Sequence, residues 1–262
     1  MALFPLKDDT PLKSISFQYV TVTLIAINVI AFLWEIAPGT DGERIVFGLG
    51  AIPAVVLGGA EPIVKISGVP GWATLITSLF LHGGWMHLLG NMLFLWIFGD
   101  NVEDSMGHIR FLAFYLLCGA LATLMHAFAQ PTSDMPLIGA SGAISGVLGA
   151  YLLLHPRARL LVLFLSIFPL RLPAWVVLGS WIGLQFLNLG DTSASDVAWW
   201  AHIGGFIAGA ILIVPFRRKG VPLFDIEERG DPVVVERHER RHARSIFPNT
   251  VAPRTRRGGP WG

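Results

Sequence analysis

Residues 197–215 read VAWWAHIGGFIAGAILIVP and run through Phe216 into Arg217-Arg218-Lys219. An apolar stretch of about 20 residues has the length of a membrane-crossing helix, and positive charge clustered after it marks a cytoplasmic end. The same stretch carries one imidazole, His202, and two glycines four apart, Gly205 and Gly209. An ionisable group inside a membrane helix is costly and points to function. Small residues at that spacing let a second helix backbone approach closely. The stretch therefore predicts an all-α, polytopic membrane protein in which His202 faces a neighbouring helix.

The rest of the chain agrees. Of 262 residues 53% are hydrophobic and 14% charged, and the mean hydropathy is +0.60. Soluble domains average about 25% charged residues, and disorder needs low hydrophobicity, so both are excluded for the body of the chain. The net charge of +1 is unevenly spread: residues 1–216 hold 8 Lys/Arg against 12 Asp/Glu, residues 217–262 hold 11 against 6. A basic tail on an apolar body argues for a membrane protein and against a nucleic-acid binder. Five further spans are read at about Tyr19–Ile36, Gly84–Asn101, Phe111–Ala129, Ser141–Leu154 and Pro173–Leu189. The organisation is thus a cytoplasmic segment 1–18, a six-helix membrane domain 19–216 and a basic, disordered tail 217–262. Residues 160–170 are too few to span. They are expected at the interface or against the inner side of the bundle. Met1–Tyr19 shows no signal-peptide core, and Cys118, the one cysteine, permits no intramolecular disulfide.

Loop charges orient the bundle. With the N-terminus inside, the inner segments carry Lys7, Lys13, Arg110, Arg157, Arg159, Arg171 and the whole basic tail, and the outer loops only Arg44 and Lys65. The reverse topology inverts this bias, so both termini are expected in the cytoplasm. The bare signal pattern suits a bacterial inner membrane.

Depth is the next constraint. The fourth span starts at Ser141 and ends at His155-Pro156 after about 21 Å of helix, against a core of about 30 Å. With its inner end at the cytoplasmic surface, Ser141 lies roughly 9 Å below the outer one. On the same scale His202 lies roughly 8 Å and Asn91 roughly 10 Å down, with His87 one turn above Asn91 on one face. Gly142, Ser145, Gly146 and Gly149 share an arc with Ser141, as Gly205 and Gly209 do with His202. Two close-packing faces therefore carry the hydroxyl and the imidazole. That is the arrangement a base-activated serine requires: His202 takes the Ser141 proton as the oxygen attacks a carbonyl and returns it to the leaving amine. The backbone N–H of Ser141, the Asn91 amide and the His87 ring are the donors available to an oxyanion. Glu35, Asp100 and Glu103 lie near helix ends, which leaves a dyad rather than a triad, and a polar cavity opening outward must admit water.

Taken singly, Ser141 also reads as a helix N-cap, His202 as an interhelical bond, and His87 with Asn91 as a structural network. His82, before the Gly83-Gly84 break, reads equally as a structural bond or a member of the site. His126 and His155 read as interfacial. The common depth of groups from three separate stretches favours a site.

Gly139-Ala140-Ser141-Gly142, His82-x4-His87-x3-Asn91, Ala201-His202-x2-Gly205-x3-Gly209 and Gly99-x3-Glu103-x3-Gly107 together resemble the rhomboid intramembrane serine proteases, over about Trp72–Val214. The resemblance implies Ser141 as nucleophile, His202 as general base, Asn91 and His87 on the oxyanion side, and Glu103 as a structural anchor. It further implies cleavage of membrane proteins at or near a transmembrane segment, within the bilayer and without metal or cofactor. Two departures stand out. Many members carry an aromatic residue four after the nucleophile, against the histidine ring, where this chain has Ser145. The 38–71 loop also lacks a Trp-Arg pair. A non-catalytic rhomboid-like protein that binds or escorts membrane clients is the second reading. The intact Ser141, His202 and Asn91 favour the protease.

Overall fold

The computed structural model describes residues 3–64, 66, 69–164, 167–190 and 198–224. The predicted basic tail beyond residue 224 and the start of the last span at Val197 lie outside them. The fold is mostly helical. In chain order it has β1 (Leu3–Asp8), α1 (Tyr19–Glu35), α2 (Gly42–Leu49), α3 (Pro53–Val56), α4 (Thr74–Thr77), α5 (Trp85–Met106) and α6 (His108–Ala129). Then follow α7 (Ser141–Leu154), β2 (Arg159–Phe164), β3 (Phe168–Pro173), α8 (Ala174–Leu187) and α9 (Trp199–Phe216).

The helix α7 is the centre. Its sequence, SGAISGVLGAYLLL, is small or apolar on every side, and residues Gly142 through Tyr151 are all buried. A helix apolar all round must be enclosed by other elements. Here α5, α6, α8 and α9 enclose it. Its small face meets α9 at backbone distance: a Cβ on Gly205 would strike the Gly142 carbonyl, and one on Gly209 the Gly146 carbonyl. Toward α6 a Cβ on Gly146 would lie 2.5 Å from Cys118 Cβ, so the buried Cys118 acts as a packing residue.

The outward faces are apolar too. Ile27, Ile30 and Leu33 of α1, Leu117, Leu121 and Phe128 of α6, Trp175, Phe186 and Leu187 of α8, and Ile211 and Val214 of α9 are exposed. So large an apolar surface is unfavourable in water and natural against lipid. Among the described residues α6 and α9 are long and apolar enough to cross a membrane, while α1, α7 and α8 are apolar but shorter.

Segment 160–170, expected at the interface or against the inner side of the bundle, packs on the bundle through an element that its sequence did not predict. It forms an antiparallel hairpin, β2 pairing Arg159–Phe164 with Pro173–Phe168, and β1 adds to its other edge with a register shift between Pro5 and Lys7. A three-stranded sheet, β1-β2-β3, thus supplements the helices. Proline cannot donate to a central ladder, which fits Pro5, Pro169 and Pro173 on the two edge strands. Leu160 and Val162, at alternate positions of the central strand, are buried in the core. The sheet follows α7 and so lies at the end away from Ser141.

A correction concerns α5, which passes Asn101 and continues to Met106. Its late carboxylates do not leave the bundle; they hold the N-terminal segment. Asp104 accepts from the backbone N–H groups of Lys13, Ser14 and Ile15 at 3.0, 2.7 and 2.6 Å. Glu103, fully buried, accepts from Val20 N, Thr21 N and Thr21 Oγ1 at 3.0, 2.8 and 2.7 Å. It thereby satisfies the first turn of α1, whose N–H groups have no intrahelical acceptor. Asn101 Nδ2 and Tyr151 Oη donate to Asp8 at 2.7 and 2.9 Å, and burial among these groups raises the Asp8 carboxyl above its ordinary range.

Candidate functional site

Ser141 is the first residue of α7, and the N-cap position before it, Ala140, makes no side-chain cap bond. The Ser141 hydroxyl is therefore free of the capping role, and it lies 2.9 Å from His202 Nε2 on α9. Both residues are half-buried. Glycines where the two helices cross make this reach possible, because a side chain at Gly205 would push α9 off α7. As the first helical residue, Ser141 also presents a backbone N–H with no intrahelical acceptor.

His87 and Asn91, one turn apart on α5, flank the segment leading into Ser141. A Cβ on Gly139 would come within 2.7 Å of His87 Nε2 and 3.6 Å of Asn91 Nδ2. Gly139 has φ +113°, a conformation that disfavours any side chain, so glycine is required there both by backbone and by space. The Asn91 side chain is buried and its Nδ2 has no hydrogen-bond partner among the described residues. A buried, unpaired donor is rare in native folds and calls for an explanation. His87 Nδ1 takes a long contact, 3.4 Å, from Gly83 N–H, which directs its proton to Nε2, beside Gly139. His82 is buried behind them, its ring edge-on to His87 with centroids 5.1 Å apart, and its backbone N–H donates to Glu35 at 3.2 Å. Glu103 lies apart from this group, at the N-terminus of α1.

The missing aromatic at position 145 is replaced from another helix. Ser145 Oγ donates back to the Ser141 carbonyl at 2.6 Å. The His202 ring is instead covered by Trp181 of α8, centroids 5.8 Å apart and 35° between planes, and met edge-on by Trp199 at 6.3 Å. Gln185 of α8 places Oε1 2.8 Å from His202 Nδ1. Sequence reasoning overlooked Trp181 and Gln185. The signal was present, since Gln185 is the one amide in AWVVLGSWIGLQFL, where Ser180 is the only other polar side chain apart from the indoles. His126, expected at the interface, is buried on α6. A cleft lined by Phe47, Ile52, Val64 and Thr74 includes none of these groups. Among the described residues no three His, Cys, Asp or Glu side chains are grouped to hold a metal.

A hydroxyl on an imidazole, a second nitrogen of that imidazole on an acceptor, and an unpaired amide beside the segment leading into the serine form a set that can carry out acyl transfer. Comparison with known proteins identifies the family. The Rhomboid domain matches residues 70–219. Among curated relatives, the rhomboid protease GluP of Bacillus subtilis is 30% identical over 190 residues, 72% of this chain and 33% of that protein. Rhomboid-like protein 11, chloroplastic, of Arabidopsis thaliana is 30% identical over 159 residues, 59% of this chain and 56% of the relative. Rhomboid protein 1, mitochondrial, of Saccharomyces cerevisiae is 34% identical over 143 residues, 53% of this chain and 40% of the relative. The chain thus spans between a third and a little over half of these proteins' lengths. With the domain match covering more than half of its residues, the chain belongs to the Rhomboid family, whose members are integral, polytopic, helical membrane proteins.

Proposed function

We propose that this chain is an intramembrane serine endopeptidase that cuts membrane proteins in or beside a transmembrane segment. The observation that carries the reading is the 2.9 Å approach of Ser141 Oγ to His202 Nε2 across two helices. In this reading Nε2 takes the hydroxyl proton as Oγ attacks the scissile carbonyl; the tetrahedral oxyanion is met by the Ser141 N–H, Asn91 Nδ2 and His87 Nε2. The proton on His202 then goes to the leaving amine, and water repeats the sequence on the acyl-enzyme. Among the described residues α1, α5, α6, α7, α8 and α9 are read as six spans with both termini cytoplasmic and Ser141 opening outward, as the loop charges favour. The test is cleavage of a single-pass membrane protein in liposomes, where wild type cuts and Ser141→Ala does not.

Asn91→Ala should lower kcat by about 10²–10³-fold with KM nearly unchanged, because its amide acts on charge that develops only in the transition state. A rise in KM at constant kcat would instead assign Asn91 to substrate binding.

A membrane substrate must also reach Ser141 from the side. Of the helices around α7, α8 is the loosest: Gly179 and Gly183 face open space, where Gly205 and Gly209 meet backbone. The reading places entry between α5 and α8. A disulfide cross-link joining those helices should abolish cleavage of membrane substrates and be reversed by reductant. Undiminished cutting by the cross-linked protein would sink lateral entry there.

A further inference from the structure

We propose that Gln185 is the positioning residue for His202, fixing the one imidazole tautomer that can act as a base toward Ser141. This deepens the protease reading and rests on it for its catalytic meaning, though the tautomer itself is a separate observable. Gln185 is buried, 5% exposed. Its amide has two ends and both are committed. Nε2 donates to the Trp181 carbonyl one turn back at 3.0 Å, and Oε1 faces His202 Nδ1 at 2.8 Å. A carbonyl oxygen only accepts, so Nδ1 must carry the proton. In a neutral imidazole that leaves the lone pair on Nε2, the atom 2.9 Å from Ser141 Oγ. Turning the amide over would set its oxygen against the Trp181 carbonyl and its NH₂ on Nδ1. The proton would move to Nε2, which could no longer accept from serine. The backbone of α8 therefore selects the amide orientation, and the amide selects the tautomer.

The arrangement replaces both usual supports of a catalytic histidine. A carboxylate commonly holds the far nitrogen. Among the described residues the titratable groups acting on His202 from neighbouring helices are His87 on α5 and His126 on α6. The hydroxyls of Ser141 and Ser145 come from α7, and Gln185 from α8 is neutral. An amide here avoids the desolvation of a carboxylate at membrane depth. Trp181 and Gln185, four apart on α8, hold the ring by its face and by Nδ1. Among the described residues the Gln185–His202 bond is the one side-chain hydrogen bond from α8 to another helix, so the readiness of the base depends on where α8 stands.

The deciding measurement is ¹⁵N NMR of the His202 ring in detergent, assigned with His202→Ala, in wild type, Gln185→Leu and Gln185→Glu. The expected result is Nδ1–H with an unprotonated Nε2 in wild type, and mixed tautomers in Gln185→Leu. An unchanged tautomer in folded Gln185→Leu, or Nε2–H in wild type, would overturn the proposal. Cleavage kinetics supply the second arm. Gln185→Leu should lose about 10- to 100-fold in kcat, in the range of lost orienting partners, while Gln185→Glu, whose neutral acid keeps an acceptor oxygen for Nδ1 and an O–H for the Trp181 carbonyl, loses less. A Gln185→Leu protein that cuts at the wild-type rate contradicts the positioning role and leaves the protease reading standing. If wild type cuts nothing, the protease reading falls, and the ring tautomer still decides on Gln185.

Discussion

Ser141→Ala is expected to abolish cleavage of a single-pass substrate, with kcat falling by roughly 10⁴-fold or more, and His202→Ala to match it. The two groups act as one unit: the hydroxyl is a weak nucleophile unless Nε2, 2.9 Å away, removes its proton. For that reason the double variant should be no slower than either single one. The Ser141 change removes one oxygen and one interhelical hydrogen bond from a half-buried position at the start of α7 and adds no atom to the seam, so the thermal midpoint should move little. Loss of activity in a protein of wild-type stability separates chemistry from folding. Substantial residual cutting by Ser141→Ala would mean that another group is the nucleophile.

Gly205→Val should destroy both stability and activity. The added side chain meets the Gly142 carbonyl oxygen, and its Cβ would lie 3.0 Å from the carbonyl carbon and 3.2 Å from Ser145 Cβ. Overpacking costs about 1–3 kcal/mol where side chains can give way. Here the obstacle is helix backbone, so α9 must move as a body, and the cost belongs at or above the top of that range. Since His202 rides on α9 and Ser141 on α7, the separation also takes the imidazole out of reach of the hydroxyl. A thermal melt in detergent should show a large fall in the midpoint, with cleavage lost at temperatures where the variant is still folded. Gly179→Val on α8, where a Cβ meets open space, is the control and should melt like wild type. Equal melting of Gly205→Val and wild type would contradict the close α7–α9 seam.

These expectations show which parts of the fold are legible from sequence. The bounds of α7 follow from local chemistry alone, an unbroken small and apolar run from Ser141 to the His155-Pro156 stop. The α7–α9 seam follows from glycine spacing, since only glycine permits the contacts seen at positions 205 and 209. What was not legible depends on partners far along the chain. Glu103 and Asp104 look like the end of a membrane span, because nothing nearby shows that their carboxylates serve backbone N–H groups of residues 13–15 and 20–21. The hairpin at 159–173 gains its place from β1 and from core contacts of Leu160 and Val162. Gln185 stands in an apolar run with no motif around it, and its significance emerges only when α8 is set against His202.

The most direct test of the central claim is to treat the wild-type protein in membranes with a serine-directed fluorophosphonate and to map the adduct by mass spectrometry. The account predicts one phosphonylated residue, Ser141, with labelling lost in His202→Ala and cleavage lost in step with labelling. An adduct on another residue, or labelling of Ser141 that persists at the wild-type rate without His202, would contradict it.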